Sequence, residues 1–195
     1  SQWDRLFQSG AGVDLLLGLD PEADCDRRAP VAGDKRVLAA MLDGKPVAVL
    51  YDAVNPSAPG EERWEAVSPT GRTTFDSVRI LENARVLYNG DENSYTIEMT
   101  LPFKDLGFEP ERIARIRLDW GILETDEHGS SVLQRLYWSN SAASIQADVP
   151  SEARLEPGLW GWAILHSRDF SRPQMDTLFR ADPEPEDIER MLEGF

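Results

Sequence analysis

Apolar residues return at every second position in several short stretches of this chain, the period of an extended strand with one buried face. In YTIEMTL, Tyr95, Ile97, Met99 and Leu101 point one way and Thr96, Glu98 and Thr100 the other, which predicts a half-buried antiparallel strand. Ile116, Leu118, Trp120 and Ile122 repeat the period, Asp126 to Gly129 supply a tip, and Val132 to Trp138 return. GVDLLLGL, bounded by glycine and by Asp20-Pro21, is short and apolar enough for a buried central strand. Asp43-Gly44 between two apolar runs predicts a tight hairpin, because both residues of such a turn tolerate positive φ.

Two further stretches of alternation, Val78 with Ile80 and Ala84 with Val86 and Tyr88, lead through Asn89-Gly90-Asp91 into a second hairpin. Residues 55 to 76 read as a Pro/Gly-rich connection followed by one edge strand, RWEAVSP, with Trp64, Ala66 and Ser68 on a common face. With the closing PGLWGWAIL, about eight or nine strands at this spacing predict an all-β fold, an antiparallel β-sandwich of the jelly-roll or immunoglobulin-like kind. The alternation stops after Leu165. We therefore expect a sandwich over 1–166 and a tail over 167–195. In that tail Glu184 opens a short C-terminal helix, whose stripe of Ile188, Met191, Leu192 and Phe195 docks on the parent domain.

A chain of 195 residues, 41% hydrophobic and 28% charged, is long enough for one sizeable core. Its net charge of -15 repels phosphate backbones and anionic lipid surfaces, so nucleic acid is not an expected partner. No apolar run approaches a membrane span, and the lone Cys25 excludes an internal disulfide and a cysteine-based zinc site. The opening SQWDRLFQSG lacks a signal peptide's regions, as in a mature chain or an excised piece.

Catalytic inventory is thin. His128 and His166 have no serine elbow or HExxH nearby, and Glu124, Asp126 and Glu127, which resemble a glycosidase's paired carboxylates, run into a turn rather than along one buried strand face. A non-enzymatic module is the expectation. Asp20, Asp24 and Asp26 in LDPEADCDRR could ligate calcium, with neutralisation by Arg27 and Arg28 as the alternative. Of six tryptophans, Trp120 and Trp160 are expected in the core. Trp3, Trp64 and Trp138 remain as candidate sugar-stacking rings, and Asn140 beside Trp138 can hydrogen-bond sugar hydroxyls.

GVDLLLG, YTIEMTLPFKDLGF, RLDWGILETDEHG, LYWSN and DVPSEARLEPGLWG, in that order, resemble the family 9 carbohydrate-binding module and its DOMON-like relatives over roughly residues 7 to 165. The resemblance implies a β-sandwich, often appended to secreted polysaccharide-degrading enzymes, that can hold structural calcium and bind sugar ends between two tryptophans. It departs from that family in two places. Only eleven residues precede Gly12, where members carry an earlier strand pair, and Ser141 to Gln146 hold no aromatic residue to close a clamp.

The leading expectation is a non-catalytic glycan-binding module, extracellular or periplasmic. A DOMON-like haem or redox module using Met41, Met99 or His128 is the rival. In a third reading, a partner chain or neighbouring domain supplies the missing first strands.

Overall fold

The computed structural model describes residues 3–8, 11–90, 94–108, 113–126, 128, 130–143 and 148–166, without the side chains of 113, 114 and 166. The expected tail helix over 184–193 lies outside the described residues. The strands belong to one unit, Ser1–Leu165. Eleven are found among the described residues: β1 (Gly12–Gly18), β2 (Asp34–Leu42), β3 (Lys45–Asp52), β4 (Trp64–Ser68), β5 (Gly71–Phe75), β6 (Ser77–Ile80), β7 (Arg85–Gly90), β8 (Tyr95–Thr100), β9 (Ile113–Thr125), β10 (Val132–Tyr137) and β11 (Gly161–His166). One short helix, α1 (Val149–Ala153), starts at Asp148, whose carboxylate accepts the Ser151 N–H at 3.2 Å.

The architecture is the expected all-β antiparallel sandwich. Its central sheet runs β10-β9-β1-β2-β3-β6, with β11 also paired to β9, and two hairpins, β4–β5 and β7–β8, form separate two-stranded sheets. GVDLLLG is central as expected, held between β2 and β9. Asp43 and Gly44 take φ of 50° and 77°, so the turn between β2 and β3 forms where the sequence demanded positive φ.

Hydrophobic clusters lie on both faces of the central sheet, which explains why VLAAM in β2 is nearly continuously apolar. On the first face Leu16, Leu38, Val49, Tyr51 and Leu123 meet Trp64 and Phe75 of the β4–β5 hairpin, the leading Leu6 and Phe7, and Trp160. Tyr51 sits edge-on to Phe7 and Phe75, with centroids 5.8 and 5.4 Å apart. On the second face Leu17, Val37, Leu50 and Ile116 are covered by Leu81 and Leu106, with Val86 and Met99 of the β7–β8 hairpin packed alongside.

The expectation of a single edge strand within 55 to 76 is corrected: GRTTF pairs back on WEAVS as β5. This segment is too polar to display apolar alternation, and tertiary contact anchors it at two points, with Phe75 in the core and the Thr73 hydroxyl donating to the Pro150 carbonyl at 2.6 Å. No helix among the described residues is long and apolar enough to cross a membrane.

Candidate functional site

β9 and β10 set the geometry of the most open aromatic surface. Ile122 lies opposite Leu136 and Gly121 opposite Tyr137, and one step further the Trp138 N–H donates to the Trp120 carbonyl at 2.9 Å. Trp120 and Trp138 are therefore direct cross-strand neighbours, and strand alternation puts both on the second face with Ile122 and Leu136. The two indoles are 48% and 54% exposed. The β7–β8 hairpin covers other parts of this face.

Trp120 was expected in the core, and this is corrected. Its alternation with Leu118 and Ile122 identifies its face correctly, but whether a face is covered depends on where a distant hairpin packs. Gly161 makes room for its neighbour: a Cβ at 161 would lie 2.5 Å from Cζ3 and 2.7 Å from Cη2 of Trp138. The benzo ring thus occupies the space in which a side chain at the start of β11 would stand.

Polar groups continue the platform along the same strands. Gln134 lies opposite Glu124, in phase with the two indoles, and both side chains are exposed. Nearby Tyr95 stacks on Tyr88 with centroids 5.8 Å apart and planes 16° from parallel. Burial, reinforced by Glu124 and then Tyr88, raises the Tyr95 phenol above its ordinary pKa, so it stays a neutral hydroxyl. Glu124 and Gln134 were not singled out as site residues from sequence; their phase with Trp120 and Trp138 is the signal that marks them.

Beneath the platform, on the first face, Asp119 is buried and fixes the turn that follows β10. Its carboxylate accepts N–H groups from Trp120 and Ser139, each at 2.9 Å, and from Asn140 at 3.0 Å. The Ser139 hydroxyl donates to the Leu159 carbonyl at 3.0 Å, tying this turn to the segment that enters β11. The position of Trp138 is thus held from three sides.

The structure separates the other predicted stacking residues. Trp64 is 7% exposed, edge-on to Phe7 and tilted on Phe75, and its Nε1–H donates to Asp4 at 3.1 Å. Its ring faces are occupied by core neighbours, so its assignment as a stacking residue is corrected. Trp3 is half-buried against the same cluster, and Trp160 is core as expected. Trp162 lies under the guanidinium groups of Arg115 and Arg117, 4.1 and 4.7 Å from its ring centroid. Asn140 lines two clefts, a polar pocket of ≈ 80 Å³ with Arg36, Arg135 and Tyr137 and an open one of ≈ 410 Å³ with Gln134 and Leu136, and its side-chain carbonyl accepts the Ala142 N–H at 3.0 Å.

The aspartate loop after β1 is partly as expected. Ligand atoms of Asp24, Cys25 and Asp26 lie within 4.8 Å of one another, all exposed, and Asp20 is not among them. Asp20 and Asp24 accept the N–H groups of Glu22 and Asp26, at 3.0 and 2.9 Å. Arg27 pairs instead with Asp34, its Nε 2.9 Å from Oδ2, and reaches only the carbonyl of Asp24. Met41, Met99 and His128 stand on β2, on β8 and in the turn after β9. Comparisons with protein-family models, curated proteins and solved structures find no match.

Proposed function

We propose that this domain binds glycans without chemistry, on the outer face of β9 and β10. The observation that carries the reading is the cross-strand pair Trp120 and Trp138, both half exposed and locked side by side by a main-chain hydrogen bond. Indole faces take up the C–H surface of pyranose rings, and such contacts need no induced fit when the rings are already fixed. Glu124 and Gln134 supply directed acceptors and donors two strand repeats further on, past Ile122 and Leu136, at roughly 6.6 Å per two residues.

The reading agrees with the resemblance to family 9 carbohydrate-binding modules in class of ligand, while placing the contact on a flat sheet face rather than in a clamp. A domain of this kind works outside the cytoplasm, attached to or partnered with a polysaccharide-acting protein. Affinity electrophoresis against a panel of plant, fungal and bacterial polysaccharides tests it. Retardation on at least one polymer, lost in Trp120→Ala and in Trp138→Ala but kept in Trp3→Ala, is expected. Equal retention by all four proteins would overturn the assignment of the face.

A further inference from the structure

A second site lies on the opposite side of the central sheet, where Arg28, Arg72 and Arg154 line a cleft of ≈ 340 Å³ between the β4–β5 hairpin and the chain leaving α1. In a protein with 35 acidic against 20 basic residues, no acidic side chain lines this cleft. Arg28 and Arg154 form no ion pair among the described residues, and Arg72 has only a loose exposed contact of 3.4 Å with Glu65. The Arg154 guanidinium reaches across to β5, with Nη2 3.6 Å from where a Cβ on Gly71 would be. Arg28 and Arg154 also line a neighbouring cleft that holds Asp26 and Glu156, so the three guanidinium groups converge here with acidic groups near them but none in the wall of this cleft, although the average field of the chain opposes anions at long range.

The remaining walls are of another character. Ala53, Phe75 and Leu155, all buried, form an apolar floor, and Thr74 adds a hydroxyl. Guanidinium forks match planar oxyanions bidentately, and the apolar floor suits the body of a ring. We propose that this cleft binds a small ring compound bearing a carboxylate, a uronic acid being the sugar of that chemistry. The site is independent of the Trp120–Trp138 platform, since the two lie on opposite faces.

Titration with glucuronate, glucose and acetate, followed by backbone amide NMR shifts of Thr73, Thr74 and Arg154, tests the proposal on the full chain. Glucuronate is expected to shift these amides saturably, glucose not at all, and acetate at least tenfold more weakly. Binding should weaken about tenfold in Arg154→Gln and in Arg28→Gln, as for the loss of one charge-assisted contact, and fall with added salt. Arg154→Lys, which keeps the charge without the fork, should recover only part. Both positions are exposed, so the variants fold. Equal shifts with glucose, or unchanged binding in both glutamine variants, would sink the site; acetate as strong as glucuronate would overturn the ring.

Discussion

Arg36 and Asp14 meet diagonally across β2 and β1 as a fully enclosed ion pair, Nη2 2.6 Å from Oδ2 and Nε 3.0 Å from Oδ1. Tyr137 donates its hydroxyl to the same carboxylate at 2.5 Å, and the guanidinium lies 5.0 Å from the centroid of Phe7. Burial is the largest single influence and would lower the Arg36 pKa, but the charges of Asp14 and Tyr137 and the hydrogen bonds to Asp14 together outweigh it and the net shift is upward, so the guanidinium stays charged inside the first-face core. Such a pair contributes little net stability against an apolar replacement, yet losing one member strands a charge in a medium that cannot solvate it.

The first prediction follows from that asymmetry. Arg36→Met should lower the unfolding free energy by about 3–5 kcal/mol, as for other buried pairs broken on one side. Replacing the set together, Asp14→Leu, Arg36→Met and Tyr137→Phe, should recover most of the loss. Urea unfolding of both proteins decides it: a triple variant no better than the single would mean that the pair itself, not the orphaned charge, carries the energy.

Alkaline pH tests the same region. Burial raises the phenol pKa of both Tyr51 and Tyr137 above the ordinary 10.0; Asp14 pushes that of Tyr137 up as well, while Arg36 opposes the shift in both. A folded-state pKa above the unfolded one means that the folded chain keeps a proton the unfolded chain releases. Stability is therefore full below pH 10 and is lost as pH rises beyond it, at about 1.4 kcal/mol per pH unit for each phenol. Tyr137→Phe should start about 2 kcal/mol less stable at pH 8, having lost a hydrogen bond to a charged group. Its stability should then fall less steeply than that of the wild type between pH 10 and 11, with Tyr51 and Tyr95 keeping their share of the slope. Equal slopes in urea titrations would show that Tyr137 ionises as freely folded as unfolded.

These residues also show where the sequence stopped being readable. The turn at Asp43-Gly44 could be read because positive φ is a local requirement, and β8 because its alternation is unbroken. Asp14 and Arg36 could not be read as a pair: each interrupts an apolar strand, and the partner that neutralises it is 22 residues away. Asp119 is hidden in the same way, since the N–H groups of Ser139 and Asn140 that satisfy it lie in a turn after the next strand. For the tryptophans, phase along a strand distinguished the two faces. It carried no information on which face the β7–β8 hairpin would leave open, so Trp120 and Trp64 were assigned the wrong way round.

The division of the indoles into core and platform has an energetic signature. Trp64→Ala and Trp160→Ala remove 7% and 2% exposed rings and should cost about 3–5 kcal/mol, the usual range for large aromatics deleted from a core. Trp120→Ala and Trp138→Ala remove rings already half in water and should cost no more than about 1 kcal/mol. Thermal unfolding of the four variants would reveal any large loss at 120 or 138, which would make those rings structural and remove the case for a free stacking surface.

Two glycines separate placement of the platform from integrity of the sheet. A Cβ at Gly121 would lie 2.6 Å from the Leu136 carbonyl oxygen and 2.6 Å from Cδ1 of Tyr137, so Gly121→Ala must push β10 away from β9. At Gly161 the three nearest atoms all belong to the Trp138 ring, and its indole can swing outward while the backbone stays in place. Gly161→Ala should therefore keep most of its stability, losing about 1 kcal/mol by analogy with modest overpacking, while Gly121→Ala unfolds more readily. Under the stacking reading, Gly161→Ala should also lose at least tenfold in polysaccharide retention, because Trp138 no longer lies in line with Trp120. Retention at wild-type strength with a displaced Trp138, seen as a changed indole fluorescence maximum, would mean that the ring contributes to the surface but not to recognition.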